Sequence, residues 1–194
     1  MAPKRFTILG IDHLAIAVEN LEWWEALWQM IGLEPIYRAS KIGTSRSNMD
    51  TVALRRDDLR IALVKGNDGE VPSQVSAYAG THGDGMVQHI AIRVDDLDAA
   101  YEELAENGMH FSGPIKESSD GFGPLRQVFT QPAYPGGPFI EWIQRKVEGE
   151  GESLGFSDET VRGLYEDVEA EQLAGAMNVM FPILFASYLK KQLE

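Results

Sequence analysis

Cysteine is absent from the 194 residues. That excludes disulfides and thiolate chemistry and leaves any metal site to nitrogen and oxygen donors. Basic residues are scarce, 17 against 30 acidic, and the formal net charge is −13. Such a balance argues against binding a nucleic-acid backbone, which wants a basic footprint, and against an anionic membrane surface. No uninterrupted apolar stretch is long enough to span a bilayer. The N-terminal MAPKRFTILG has neither the apolar run nor the small-residue cleavage site of a secretory signal. The expectation is a soluble cytoplasmic protein with no nucleic-acid and no membrane partner. Hydrophobic residues make up 44%, enough for one domain with a sizeable core.

What the chain does have is a repeat. Ile11–Val18 reads IDHLAIAV and Val87–Val94 reads VQHIAIRV. The offset is 76 positions, the distance from His13 to His89. The same offset sets Ala15 on Ala91, Val18 on Val94, Leu21 on Leu97 and Gly32 on Gly108. Self-similarity at a fixed period marks a duplicated structural unit. Both stretches alternate with the period of a strand. Ile90, Ile92 and Val94 form one bulky branched face, while His89 and Ala91 share the other, with open space before the imidazole. A lone histidine of this kind is usually a structural core residue. Two at equivalent places point to a shared ligand site, because a pseudo-twofold arrangement would bring the two strands together.

In chain order, a strand over Ile8–Val18 leads into a helix from Leu21 to Ile31, capped by Asn20 or Glu19 and closed by Gly32. Strands follow at Pro35–Ile42, Asn48–Arg55 and Leu59–Lys65. Gly66–Gly85 reads as a connecting loop with a short apolar segment at Val75–Ala79. The pattern then recurs: strand Val87–Val94, helix Leu97–Asn107, and strands near Met109–Ser112, Leu125–Thr130 and Pro138–Arg145. Two modules, 8–66 and 87–146, therefore fill residues 1–146, and 147–194 form a helical lid and tail. One helix there runs from Ser157 or Asp158 to about Gln172, and Pro182 is expected to break or kink the apolar tail after it. That tail must bury itself against its own domain or a second subunit, which leaves a homodimer open.

Glu141 lies in the apolar strand PFIEWIQRK, on one face with Phe139 and Ile143. A carboxylate aimed into an apolar cavity is costly unless it is paired or bound to metal, although an edge strand could simply expose it. With His13 and His89 it completes a two-histidine, one-carboxylate set. Such a set leaves positions open on an octahedral ion, as in non-haem Fe(II) oxygenases. The equivalent strand of the first module, LRIALVK, offers no fourth donor at Ala62 or its neighbours Ile61 and Leu63. His82, in THGDG, could reach the mouth of the site, and His110 reads as ordinary surface; neither fits the repeat register.

Paired units of this pattern resemble the vicinal oxygen chelate (glyoxalase-like) superfamily. Within it, VQHIAI, SQVSAYAG at 73–80, RQVFTQP at 126–132, FIEWIQRK at 139–146 and GFS at 155–157 resemble the catalytic domain of the 4-hydroxyphenylpyruvate dioxygenase and hydroxymandelate synthase group. These stretches cover most of residues 70–172. The group usually carries two such domains, and this chain matches the catalytic one. The resemblance implies an α+β fold in which two βαβββ modules form a half-open mixed β-barrel with C-terminal helices. It implies Fe(II) held by His13, His89 and Glu141, which are then also the catalytic residues, and a 2-oxo acid and dioxygen as reactants. Gln74 and Gln127 match positions that hydrogen-bond substrate; Phe129 and Phe156 match aromatic pocket positions, Phe156 opening the lid helix. Two departures stand out. Val64 replaces a substrate-facing asparagine, making that wall more apolar, and GFS replaces GFG; both leave the identity of the 2-oxo acid open between aromatic and aliphatic. Two other readings remain: a divalent-metal epimerase, lyase or glyoxalase, which wants a fourth ligand and a base, and a non-enzymatic small-molecule binding protein.

Overall fold

The computed structural model describes residues 5–120, 123–145, 158–173 and 178–192. The first module is β1 (Ile8–Ala17), α1 (Leu21–Met30), β2 (Glu34–Gly43), β3 (Asn48–Arg56) and β4 (Leu59–Asn67). After α2 (Gln74–His82), the second is β5 (Met86–Val94), α3 (Leu97–Glu106), β6 (Phe111–Asp120), β7 (Gly123–Thr130) and β8 (Phe139–Arg145). Two further helices follow, α4 (Asp158–Leu173) and α5 (Pro182–Gln192).

The repeat is carried down to its end signals. Asn20 accepts a hydrogen bond from the Trp23 amide and Asp96 one from the Ala99 amide, each at 3.0 Å, so equivalent residues cap α1 and α3. Gly32 and Gly108 follow these helices with φ of +92° and +88°, a left-handed conformation that glycine adopts without a Cβ clash.

The strands form one mixed sheet in the order β2-β3-β4-β1-β5-β8-β7-β6, curled into a half-barrel. Each half has the same plan. β1 runs parallel to β4 and β5 parallel to β8, while β1 and β5 pair antiparallel at the centre. Their register sets His13 opposite Ala91 and Ala15 opposite His89. The two histidines thus sit on neighbouring strands with their side chains on one face, as the duplication leads one to expect.

The bulky strand faces pack outward under the helices. Ile16, Val18, Leu54, Ile61 and Leu63 meet Leu21, Trp24 and Trp28 of the α1 segment. Val94, Val128 and Trp142 meet Leu97, Ala100 and Leu104 of α3. Truncating a fully buried leucine in such a cluster costs about 2–5 kcal/mol, so these layers hold the sheet and leave its concave face free for chemistry.

Two segments depart from the sequence expectation, and a third decides between its alternatives. Residues 66–85 are not all loop: Ser73 caps α2 through the Val75 amide, and Val75, Tyr78 and Ala79 bury themselves against the sheet. Tertiary burial makes a helix of a stretch whose small residues give it little amphipathic signal. β6 extends to Asp120 because it pairs with β7 as far as Gly123. Pro182 does not kink a helix but starts α5, where the missing N–H is no loss. On α5, Ile183 and Leu184 are 85% and 67% exposed. No helix among the described residues is long and apolar enough to cross a membrane.

Candidate metal centre and cavity

His13 from β1, His89 from β5 and Glu141 from β8 converge on the concave face, all three buried. Donor atoms of the three lie within 4.8 Å of one another. Glu141 Oε2 is 3.2 Å from His13 Nε2 and 3.5 Å from His89 Nε2. Those spacings suit cis donors on one first-row divalent ion, whose bonds to nitrogen and oxygen are about 2.0–2.2 Å. Burial of a carboxylate and two imidazoles with nothing to bind would be expensive, and the donor chemistry suits a transition metal. The residues therefore fit a metal ion.

Electrostatics in the metal-free site follow from this closeness. Burial alone would lower His13, but the Glu141 and Asp12 carboxylates overcome it and raise its pKa to about 9. For His89 burial wins, with the charge on His13 adding to it, and the pKa falls below 6.5. Glu141 would be raised by its burial, yet the two imidazoles pull it down to about 2. These shifts favour the charged forms of His13 and Glu141, which face each other at 3.2 Å.

Behind His13 lies a buried polar knot that the sequence did not announce. Asp12 Oδ1 accepts from His13 Nδ1 at 3.0 Å, and Arg145 from β8 grips both carboxylate oxygens at 2.8 and 3.0 Å. Arg60 from β4 donates to the Asp12 carbonyl at 3.4 Å. Burial would raise Asp12, but the His13 and Arg145 hydrogen bonds hold it well below the usual carboxylate range. The other copy has a neutral counterpart: Gln88 precedes His89 as Asp12 precedes His13, and Gln88 Oε1 lies 3.4 Å from His89 Nδ1.

A cavity opens in front of the three donors. Its module-two wall carries Gln127, Phe129 and Phe139, and its module-one wall Ala15, Ala62, Val64, Met49 and Thr51. Phe139 stacks on the His89 ring with centroids 4.8 Å apart, and Phe129 leans on it at 5.2 Å. Val64 and Gln127 are 5% and 4% exposed, and both face this space. Gln74, first residue of α2, also lines it and donates to the Tyr165 carbonyl at 3.2 Å. No lysine or arginine is among the described residues that line it. Phe156 and the rest of GFS lie outside the described residues. His82 does not join the site: it stacks on Tyr78 and bonds the Gly136 carbonyl. His110 is exposed.

Helix α4 covers the cavity with Val161, Tyr165 and Val168. It is tied to both halves of the sheet. Tyr165 OH shares hydrogen bonds with Ser47 at 2.8 Å and Ser73 at 3.0 Å, and Glu169 accepts from Thr44 at 3.0 Å and from Ser47. On the other side Lys116 of β6 donates to the Gly163 carbonyl at 2.8 Å and pairs with Asp167 at 2.9 Å. The three apolar positions recur at i, i+4 and i+7, a stripe visible in the sequence but not read there as cavity lining.

Comparison with known proteins agrees with this picture. A family model of the Glyoxalase/Bleomycin resistance protein/Dioxygenase superfamily matches residues 12–123. "Hemolysin VllY" of Vibrio vulnificus is 24% identical over 92% of this chain and 57% of its own. The 4-hydroxyphenylpyruvate dioxygenase of Pseudomonas aeruginosa is 25% identical over 84% and 52%. The chain thus spans about half the length of the curated relatives it matches. Among solved structures, a triple mutant of 4-hydroxymandelate synthase from Streptomyces coelicolor superposes with a TM-score of 0.70, at 26% identity over 84% of this chain and 54% of that one. Methylmalonyl-CoA epimerase from Mycobacterium tuberculosis shares the fold, with a TM-score of 0.54 at 23% identity over 72% and 90%. The family match covers more than half of the chain and its fold, and the protein belongs to the Glyoxalase/Bleomycin resistance protein/Dioxygenase superfamily.

Proposed function

We propose that this protein is an Fe(II)-dependent dioxygenase that oxidatively decarboxylates and hydroxylates a 2-oxo acid. The observation that supports this reading is a donor set limited to three among the described residues. Ala62 pairs with Ala15 as Glu141 pairs with Ala91, so a methyl group stands where the pseudo-twofold would put a fourth ligand. His13, His89 and Glu141 would hold the ion and would leave coordination places open for reactants. Bound iron would supply the oxygen activation and the redox change; one atom of dioxygen ends in the shortened carboxylate and the other in the new hydroxyl, with carbon dioxide released.

The chain's own residues do the rest. The Gln127 amide lies on the cavity wall and can hold a substrate oxygen; Gln74 lines the same space from the α2 end, its amide nitrogen on the Tyr165 carbonyl. Phe129 and Phe139 fix the His89 ring by stacking and keep the neighbourhood dry. With no lysine or arginine among the described lining residues, a substrate carboxylate would be neutralised by the metal, which favours a chelating acid. Helix α4, held by Tyr165 and Glu169, excludes water that would quench a reactive oxidant. The chain's division at residue 146 belongs to the same proposal: a chelating domain followed by a helical lid.

The fold is shared with methylmalonyl-CoA epimerase, but a metal-dependent epimerase or lyase would want a fourth ligand, and the described residues lining the cavity include no lysine or arginine for a phosphorylated carrier. The deciding experiment loads the protein with Fe(II) and follows oxygen uptake against aromatic and aliphatic 2-oxo acids, with carbon dioxide measured in parallel. One carbon dioxide per dioxygen is expected with at least one acid. Iron-loaded protein that consumes no oxygen across the panel would refute the reading.

A further inference from the structure

We propose that Asp12 is a positioning residue for the metal centre, fixing His13 in the tautomer that presents Nε2 to the ion. This rests on the metal-binding reading above. Three observations carry it. The Asp12 carboxylate is 1% exposed and acceptor-only, so the His13 nitrogen 3.0 Å from it must be the one that carries a proton. The same carboxylate is held on both oxygens by Arg145, and Arg60 bonds its backbone carbonyl, so it cannot rotate away. His13 Nε2, at the far side of the ring, faces Glu141 Oε2 at 3.2 Å and is the nitrogen left for an ion.

The arrangement also makes the two imidazoles unequal. His89 meets a neutral amide, Gln88, at a longer 3.4 Å. The duplicated unit therefore has a charged, clamped support in one copy and a neutral, looser one in the other. An imidazole whose outer nitrogen donates to a carboxylate is a stronger and better oriented ligand, and losing such a support typically weakens metal binding about 10–100-fold. His13 is then the anchoring histidine, and His89, stacked on Phe139, the one set by packing.

Zn(II) serves as a diamagnetic probe. In wild-type protein labelled with nitrogen-15 and loaded with Zn(II), the His13 ring should show a protonated Nδ1 and a metal-bound Nε2. Asp12→Asn, whose amide oxygen can still accept, should keep that pattern and lose less than about tenfold in Zn(II) affinity by chelator competition. Asp12→Ala should lose about 10–100-fold and mix the ring states. Leu54→Ala, a core truncation remote from the centre, lowers the melting temperature but should leave Zn(II) affinity unchanged, which separates positioning from stability. Equal affinity and an unchanged ring pattern in Asp12→Ala would overturn the proposal. Should that variant fail to fold, the wild-type spectrum decides alone: zinc on Nδ1, or an Nδ1 without its proton, overturns it. A wild-type protein that binds no Zn(II) would remove the metal reading as well.

Discussion

Ala62 occupies in the first module the place that Glu141 occupies in the second: each is the β-bridge partner of an alanine two residues past a cavity histidine. The pseudo-twofold of the sheet thus sets a carboxylate on one side of the proposed metal centre and a methyl group on the other. Ala62→Glu should therefore add a fourth donor. The expected result is tighter divalent-metal binding, by tenfold or more in chelator competition, together with loss of oxygen uptake because a bidentate acid no longer finds its places. Undiminished turnover in that variant would mean that the open vertices are not where reactants bind.

Alanine at His13, His89 or Glu141 should abolish turnover and lower metal affinity by more than about 100-fold, since each removes one of the three proposed donors. The fold should survive. The residues that stabilise the sheet, such as Leu54, Leu63, Val94 and Val128, pack on the faces away from the cavity. Metal content by elemental analysis, read beside far-ultraviolet circular dichroism, checks both halves of this statement.

The two histidines were legible in the sequence because duplication wrote them twice in one register, and Glu141 because a carboxylate in FIEWI has no cheap alternative to pairing. Gln127 and Phe129 were reached through resemblance; nothing in their own stretch distinguishes them from core. Asp12 and Arg145 were not legible, since 133 positions separate them and only the parallel pairing of β5 with β8 beside β1 brings them together. Helix α2 was hidden for another reason. Its sequence QVSAYAGTH is poor in periodic contrast, and burial of Val75 and Tyr78 against the sheet supplies the stability that propensity does not. The covering role of α4 fell between these cases: its stripe was present, but only the half-barrel shows what it covers.

Metal binding should depend on pH through His13. A divalent ion requires the neutral imidazole, and in the metal-free protein this ring holds its proton up to about pH 9. Affinity should then rise with pH, by about tenfold per unit at most where a single proton is displaced, and level off near pH 9. Stability of the metal-free protein runs the opposite way. His13, raised from 6.5, contributes fully below pH 6.5 and loses its contribution as pH climbs through 9, whereas Glu141, lowered from 4.5 to about 2, contributes above pH 4.5 and loses it as pH falls through 2. The metal-induced rise in melting temperature should therefore grow between pH 6 and pH 9. A shift that shrinks over that interval would contradict the assignment of the proton to the His13–Glu141 pair.

Tyr165 ties the covering helix to the first module, and its hydroxyl is the shared partner of Ser47 and Ser73. Tyr165→Phe removes that hydroxyl and keeps the ring against Val75 and Met49. Leaving two buried serines with one partner fewer costs about 1–3 kcal/mol, most of it borne by the docking of α4 rather than by the sheet, whose strands pair independently of it. Amide hydrogen exchange should accelerate across residues 158–173 and stay unchanged in β1 and β5. In the iron-loaded protein, a cavity opened to water should consume oxygen without a matching yield of hydroxylated acid, so the ratio of product to dioxygen falls while metal affinity is kept. If α4 exchange accelerates but that ratio holds at one, the helix is a brace for the barrel and water exclusion is achieved by Phe129 and Phe139 alone.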